Sequence, residues 1–167
     1  MDDADADTGS AGDGGGECVF CLIAEGRKES AVVYEDGSMM AFMDKYPIST
    51  GHTLVIPKRH YATILEMDGK DVGMLFALAH RVAKAAVRAL NAQGFSIAQN
   101  NGKVAHQVVP HVHVHIVPRF IDEERSRWPS RRTASMDELR AIAMKIRQQL
   151  DGRSDGADAV DVELITD

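Results

Sequence analysis

The chain is poor in cysteine: among 167 residues only Cys18 and Cys21 occur. A gap of two residues does not suit a structural disulfide framework and suits a metal or a redox pair. Long apolar runs are missing too. Nothing is long enough to cross a bilayer, and no basic-plus-apolar leader opens the chain, so a soluble, cytoplasmic protein without a membrane partner is expected. No internal repeat is visible, which excludes a solenoid. A regular β-α alternation is also absent, which argues against a doubly wound parallel sheet.

Basic residues are lacking at both ends. Residues 1–17 hold six acids and no Lys or Arg, and residues 151–167 hold six acids against Arg153 alone. The formal net charge of -6 therefore hides a middle, 18–150, with 18 basic and 13 acidic residues. A basic body points to an anionic ligand such as a phosphate compound, while acidic tails favour solubility. Residues 1–16, all Asp, Ala, Gly and small polar residues after Met1, have almost nothing to bury and are expected to be a disordered acidic tail. The expected organisation is one domain over 17–150 between that tail and a second acidic one, 151–167.

The most informative stretch is His111-Val112-His113-Val114-His115-Ile116-Val117-Pro118-Arg119. Alternation at period two with β-branched partners reads as a strand whose three histidines leave one face. Pro118 should end that strand or sit at an edge. Upstream, Ala31–Glu35 and Met39–Met43 flank Asp36-Gly37 as a hairpin, Thr53–Ile56 is an aliphatic strand closed by Pro57, and Phe95–Gln99 is a further strand. Helical periodicity runs from about Lys70 to Asn91 through Val72, Leu75, Phe76, Ala79, Val82, Ala83, Ala86, Val87 and Leu90, with Asp68 as N-cap and Gly94 as stop. His80 lies beside that stripe and reads as a helix-flank residue. A last helix follows Ser135, with Glu138 completing a capping box and Leu139, Ile142, Ala143, Ile146 and Leu150 on one face. The pattern is α+β, with a mainly antiparallel sheet of about five strands and two main helices.

Imidazoles on one face can hold a transition metal or act on a phosphate. Zinc commonly takes two Cys and two His in a tetrahedron; with Cys18 and Cys21, His60 and His111 are the preferred partners. A redox dithiol is the other reading, but no thioredoxin-like β-α-β pattern surrounds the pair. His113, His115 and His52 then remain for chemistry. A neutral imidazole is a competent nucleophile toward phosphorus when its other nitrogen donates to a fixed acceptor. Residues 125–132 place four arginines around Trp128; they read as a solvated basic loop or as a contact for far phosphates. A single aromatic there argues against a nucleic-acid partner.

Gly51-His-Thr-Leu-Val-Ile-Pro-Lys-Arg-His60, together with Gln107-Val-Val-Pro-His-Val-His-Val-His-Ile-Val-Pro-Arg119, resembles the histidine-triad (HIT) family of nucleotide hydrolases and transferases. The resemblance covers roughly residues 17–120. It implies that His113 is the nucleophile that becomes nucleotidylated, that His115 and His52 flank the phosphate, and that Asp44 binds ribose hydroxyls. It implies contacts from Asn100 and Gln107 to phosphate or leaving group. Cys18, Cys21, His60 and His111 match the structural zinc set of some branches and of the related hexose-phosphate uridylyltransferases. A homodimer with joined sheets and a nucleotide or nucleotide-conjugate substrate are implied as well. Two positions depart from the family pattern: Val108 stands where Ser or Thr is frequent, and His106 where Gly is frequent. A hydrolase is therefore expected, with a phosphorylase or nucleotidyltransferase, or a non-catalytic nucleotide-binding scaffold, as the alternatives.

Overall fold

The computed structural model describes residues 17–121 and 133–152. The N-terminal acidic tail, the basic segment 125–132 and most of the C-terminal tail lie outside these residues.

Five strands form one antiparallel sheet: β1 (Val32–Glu35), β2 (Met39–Met43), β3 (Thr53–Pro57), β4 (Gly94–Gln99) and β5 (Val114–Arg119), in the order β1-β2-β3-β5-β4. Helix α1 (Val19–Ala24) precedes them, α2 (Gly69–Leu90) connects β3 to β4, and α3 (Met136–Asp151) ends the described chain. The Asp36-Gly37 hairpin forms as its sequence dictates. Asp36 accepts from the amides of Ser38 and Met39 and from the hydroxyl of Tyr34, which closes the turn.

The two faces of the sheet are sorted by parity. Met39, Ala41, Met43, Val55, Val114 and Ile116 pack with Leu75, Ala79 and Val82 of α2 and with Leu139 and Ile146 of α3. Met40, Phe42, Leu54 and Ile56 point the other way, where Phe20 and Ile23 of α1 cover them. Strands β2 and β3 are therefore buried on both faces and read as continuous apolar runs. Side-chain direction alternates along a strand, so His115, between Val114 and Ile116, faces the α1 side.

Asp68 caps α2 through its side chain, and Ser135 with Glu138 forms the expected capping box of α3. Three local expectations change. The stop of α2 is Asn91, left-handed at φ 52°, and Gly94 instead opens β4. Asparagine tolerates that conformation because its short side chain bonds locally. Phe76 is exposed, whereas Leu78 and Ala85 are buried: α3 packs along α2 and draws the apolar stripe around the helix. Pro118 lies within β5, paired with Phe95, but past the last β3 partner at Ile116. His80 is exposed.

Candidate active site and metal centre

The histidine row is only partly strand. β5 begins at Val114; before it, the His111 amide bonds to the Val109 carbonyl and the Val112 amide to the Tyr61 carbonyl. Pro110 supplies no amide to extend the ladder, so the row enters through a turn. The histidines nonetheless remain a series. His113 and His115 have ring centroids 4.8 Å apart. Phe20 stands edge-on to His111 at 5.9 Å and to His113 at 5.2 Å, a hydrophobic wall beside both.

Ring protonation can be followed from the backbone. Ile48 donates its amide to His52 Nδ1 at 3.1 Å, so neutral His52 must hold its proton on Nε2. That Nε2 lies 2.9 Å from His115 Nδ1 and 3.6 Å from Asp44 Oδ2. His52 thus donates to His115, and neutral His115 carries its proton on Nε2. His113 lies 2.7 Å from the carbonyl oxygen of His111 through Nδ1, which must be the donor, so its Nε2 carries the lone pair. Adjacent rings therefore differ in what they present at Nε2: His115 an N–H, His113 a lone pair.

Asp44, His52 and His115 also converge closely enough to invite a metal. The bonding just described argues against it. Nε2 of His52 holds a proton as long as Nδ1 accepts from Ile48, and a ligating nitrogen needs a lone pair.

Both His113 and His115 line a cavity of about 320 Å³. Val19, Phe20, Ile23, Phe42 and Leu54, which pack together in one apolar cluster, form an apolar part of its lining. Asp44, Lys45, Tyr46 and Asn100 add polar groups, as does His106 from the loop before β5. Helix α3 contributes Met136 and Leu139. The register of the sheet explains the placement, since His115 pairs with Leu54 on one side and Ala98 on the other, and both neighbours line the cavity. Asp44 is 8% exposed and also accepts from the Tyr46 amide at 2.8 Å. Gln107 does not line the cavity. Its amide oxygen accepts from the Gly102 amide and its nitrogen donates to the Ala62 carbonyl, so it ties two loops together. His52 is fully buried and reaches the site through His115. Sequence reasoning missed the α3 residues, because their helix stands after a long connection and nothing in its pattern says which end meets the sheet.

The second cluster joins Cys18, Cys21, His60 and His111, whose ligand atoms all lie within 4.8 Å of one another. His111 Nδ1 is 3.4 Å from Cys18 Sγ and 3.5 Å from Cys21 Sγ, and His60 Nδ1 is 3.3 Å from Cys21 Sγ. A tetrahedral zinc with ordinary Zn–S and Zn–N bonds requires S···N edges of about 3.6 Å. His111 Nε2 lies 2.8 Å from the Pro57 carbonyl oxygen and donates to it, which turns the Nδ1 lone pair toward the sulfurs. Burial, with His60 and His113 nearby, pushes His111 down to about 4 despite that hydrogen bond, so the ring is neutral as a ligand must be. The donor set fits zinc in identity, spacing and orientation.

A family model for the HIT domain matches residues 25–122 of the chain. The chain is 34% identical to the adenylylsulfatase HINT3 of Arabidopsis thaliana, over 87% of this chain and 74% of that protein. It is 35% identical to the adenosine 5'-monophosphoramidase hnt1 of Schizosaccharomyces pombe, over 80% of this chain and 98% of that protein. Among solved structures, a zinc-bound histidine triad family protein from Mycobacterium smegmatis is similar at TM-score 0.71 and 35% identity, covering 80% of this chain and 92% of that one.

Proposed function

Because the chain belongs to the HIT family, we propose that it is a hydrolase of nucleoside phosphoanhydrides or phosphoramidates working through a nucleotidyl-histidine intermediate. One observation carries the reading: the bond from His113 Nδ1 to the His111 carbonyl keeps the lone pair on Nε2 of a cavity-lining ring. His113 Nε2 attacks the α-phosphorus. The N–P bond forms as the bond to the leaving group breaks, and that group departs with its electron pair and takes up a proton. Water then attacks the same phosphorus and gives up a proton to solvent, replacing the one the leaving group took up; the N–P bond breaks, and the lone pair returns to His113. The His115 N–H, oriented by His52, donates to the phosphoryl oxygens as their charge grows. Asp44 takes the ribose hydroxyls, Asn100 the phosphate side, and the apolar wall the base. Gln107 serves by holding the loop behind the site.

Zinc in the Cys18, Cys21, His60 and His111 set would cross-link three separate segments and support the fold. Two relatives support the substrate class: one is named for adenylyl sulfate and the other for an AMP phosphoramidate. The same reading takes residues 17–150 as the catalytic unit and makes it a homodimer joined through β4. This strand is a sheet edge, and Phe95 and Ile97 are 41% and 43% exposed along it. Two cysteines outside any disulfide fit a reducing, cytoplasmic setting. Among the described residues no helix is long and apolar enough to cross a membrane.

A substrate panel tests the proposal: dinucleoside polyphosphates, adenylyl sulfate and adenosine phosphoramidates, each with and without inorganic phosphate. The expected product is a nucleoside monophosphate, and intact mass after rapid quench should show a nucleotidyl adduct lost in His113→Ala. Nucleoside diphosphate formed only with phosphate present would assign a phosphorylase instead. Tight nucleotide binding with no turnover of any substrate would assign a scaffold.

A further inference from the structure

The loop between β4 and β5 passes through a short helical turn, Lys103–Ala105, and His106 closes that turn in the left-handed region at φ 62°, ψ 28°. Among the described non-glycine residues only Asn91 shares a positive φ, and Asn91 caps α2. Glycine would take this backbone shape without the contact that a Cβ makes there. A structural reason for an imidazole is lacking: within the described residues only the His106 backbone is hydrogen-bonded, to Lys103, and the residue is exposed.

The residue lines the cavity, however. From the end of that turn to Val109, the loop offers His106, Val108 and Val109 to the cavity. Gln107, between them, is turned inward onto Gly102 and Ala62. The one polar residue that this stretch brings to the cavity is therefore His106, and Asn100, His113 and His115 line the same cavity. Two valines beside it cannot hydrogen-bond an anion through their side chains.

We propose that His106 is a specificity-determining residue that hydrogen-bonds the leaving half of the substrate and favours leaving halves rich in anionic oxygen, such as phosphate or sulfate, over amines. The proposal rests on the reading of the cavity given above. An imidazole N–H directed at an anionic oxygen makes a charge-assisted bond, stronger than a neutral one. The backbone shape it occupies is retained because the ring is needed in the cavity.

The test compares the wild type with His106→Gly and His106→Asn by calorimetric titration with AMP and ADP, and by kcat/KM on one nucleotide carrying a sulfate, a phosphate or an amine leaving group. Both variants suit left-handed backbone, so they should fold with Tm at or above the wild type. Loss of the bond should cut the preference for ADP over AMP by about tenfold in His106→Gly, with His106→Asn in between. Likewise kcat/KM should fall about tenfold for sulfate and phosphate leaving groups and less than about threefold for the amine. An unchanged ADP-to-AMP ratio, an equal loss on all leaving groups, or a lower Tm in His106→Gly would overturn the proposal. Binding of AMP by the wild type separates the two readings. If AMP binds and the ratio is unchanged, this inference alone falls; if neither nucleotide binds the wild type, both do.

Discussion

The Nδ1–H of His113 and the carbonyl oxygen of His111 stand 2.7 Å apart. The same His111 turns its ring toward Cys18 and Cys21 and donates to Pro57. One residue therefore belongs through its side chain to the Cys/His set that could hold a metal, and orients the proposed nucleophile through its backbone.

Replacing His113 with Ala should lower turnover about 10³-fold or more, since the attacking atom is gone. Stability should drop only about 1–3 kcal/mol, the cost of a buried carbonyl that has lost its partner. Far-ultraviolet circular dichroism and urea melts give the second value. A variant with wild-type turnover would remove His113 from the mechanism.

The tautomer relay is testable by itself. His52→Phe keeps a buried ring but cannot donate to His115, so the proton of His115 is no longer confined to Nε2. We expect kcat/KM to fall about tenfold, the worth of one oriented hydrogen bond. Nitrogen-15 spectra should report a protonated Nε2 on His115 in the wild type and a tautomer mixture in the variant.

Elemental analysis of protein purified without chelator should find one zinc per chain, and Cys21→Ser should lose it. Removing the ion withdraws a ligand that binds only the folded state, so Tm should fall by several degrees. An equal Tm with and without chelator would mean that the cluster holds no structural ion.

Acid should weaken the β1–β2 hairpin through Asp36. Partial burial opposes its ionisation, but the Ser38 and Met39 amides and the Tyr34 and Ser38 hydroxyls outweigh this and hold the carboxyl below its usual range. A carboxyl lowered in the folded state contributes stability above its unfolded value, and the contribution is lost as pH falls through the folded value. Asp36→Asn should therefore cost about 1 kcal/mol at pH 7, modest because the site is exposed. In urea melts the gap to the wild type should shrink below about pH 4 and vanish at still lower pH. A constant gap over that range would contradict the assignment.

Much of the site could be read from the chain because its signals are short and chemical. Two cysteines with two spare histidines named four side chains that do come together as a candidate metal set, and the period-two row named the strand. The five strands and both long helices announce themselves by period and caps. Less visible was anything decided by packing between distant segments. Phe76 falls on the helical stripe by spacing, yet α3 selects Leu78 and Ala85 for burial. The family resemblance gives Gln107 a contact to phosphate or leaving group, and only the folded chain shows its amide held by Gly102 and Ala62. Nor can spacing reveal a tautomer, which depends on the Ile48 amide meeting His52. The wall built by Met136 and Leu139 was hidden for the same reason.

The place of β5 between β3 and β4 has a consequence for endurance. Thermal fraying starts at the rims of a sheet, where hydrogen bonds open toward water on one flank. Within one chain the rims are β1 and β4, and the ribbon bearing His115 is stitched on either side. Amide protons at Val114 and Ile116 should be among the slowest in the molecule to exchange, and the strand that carries His115 should outlast the loosening of its neighbours.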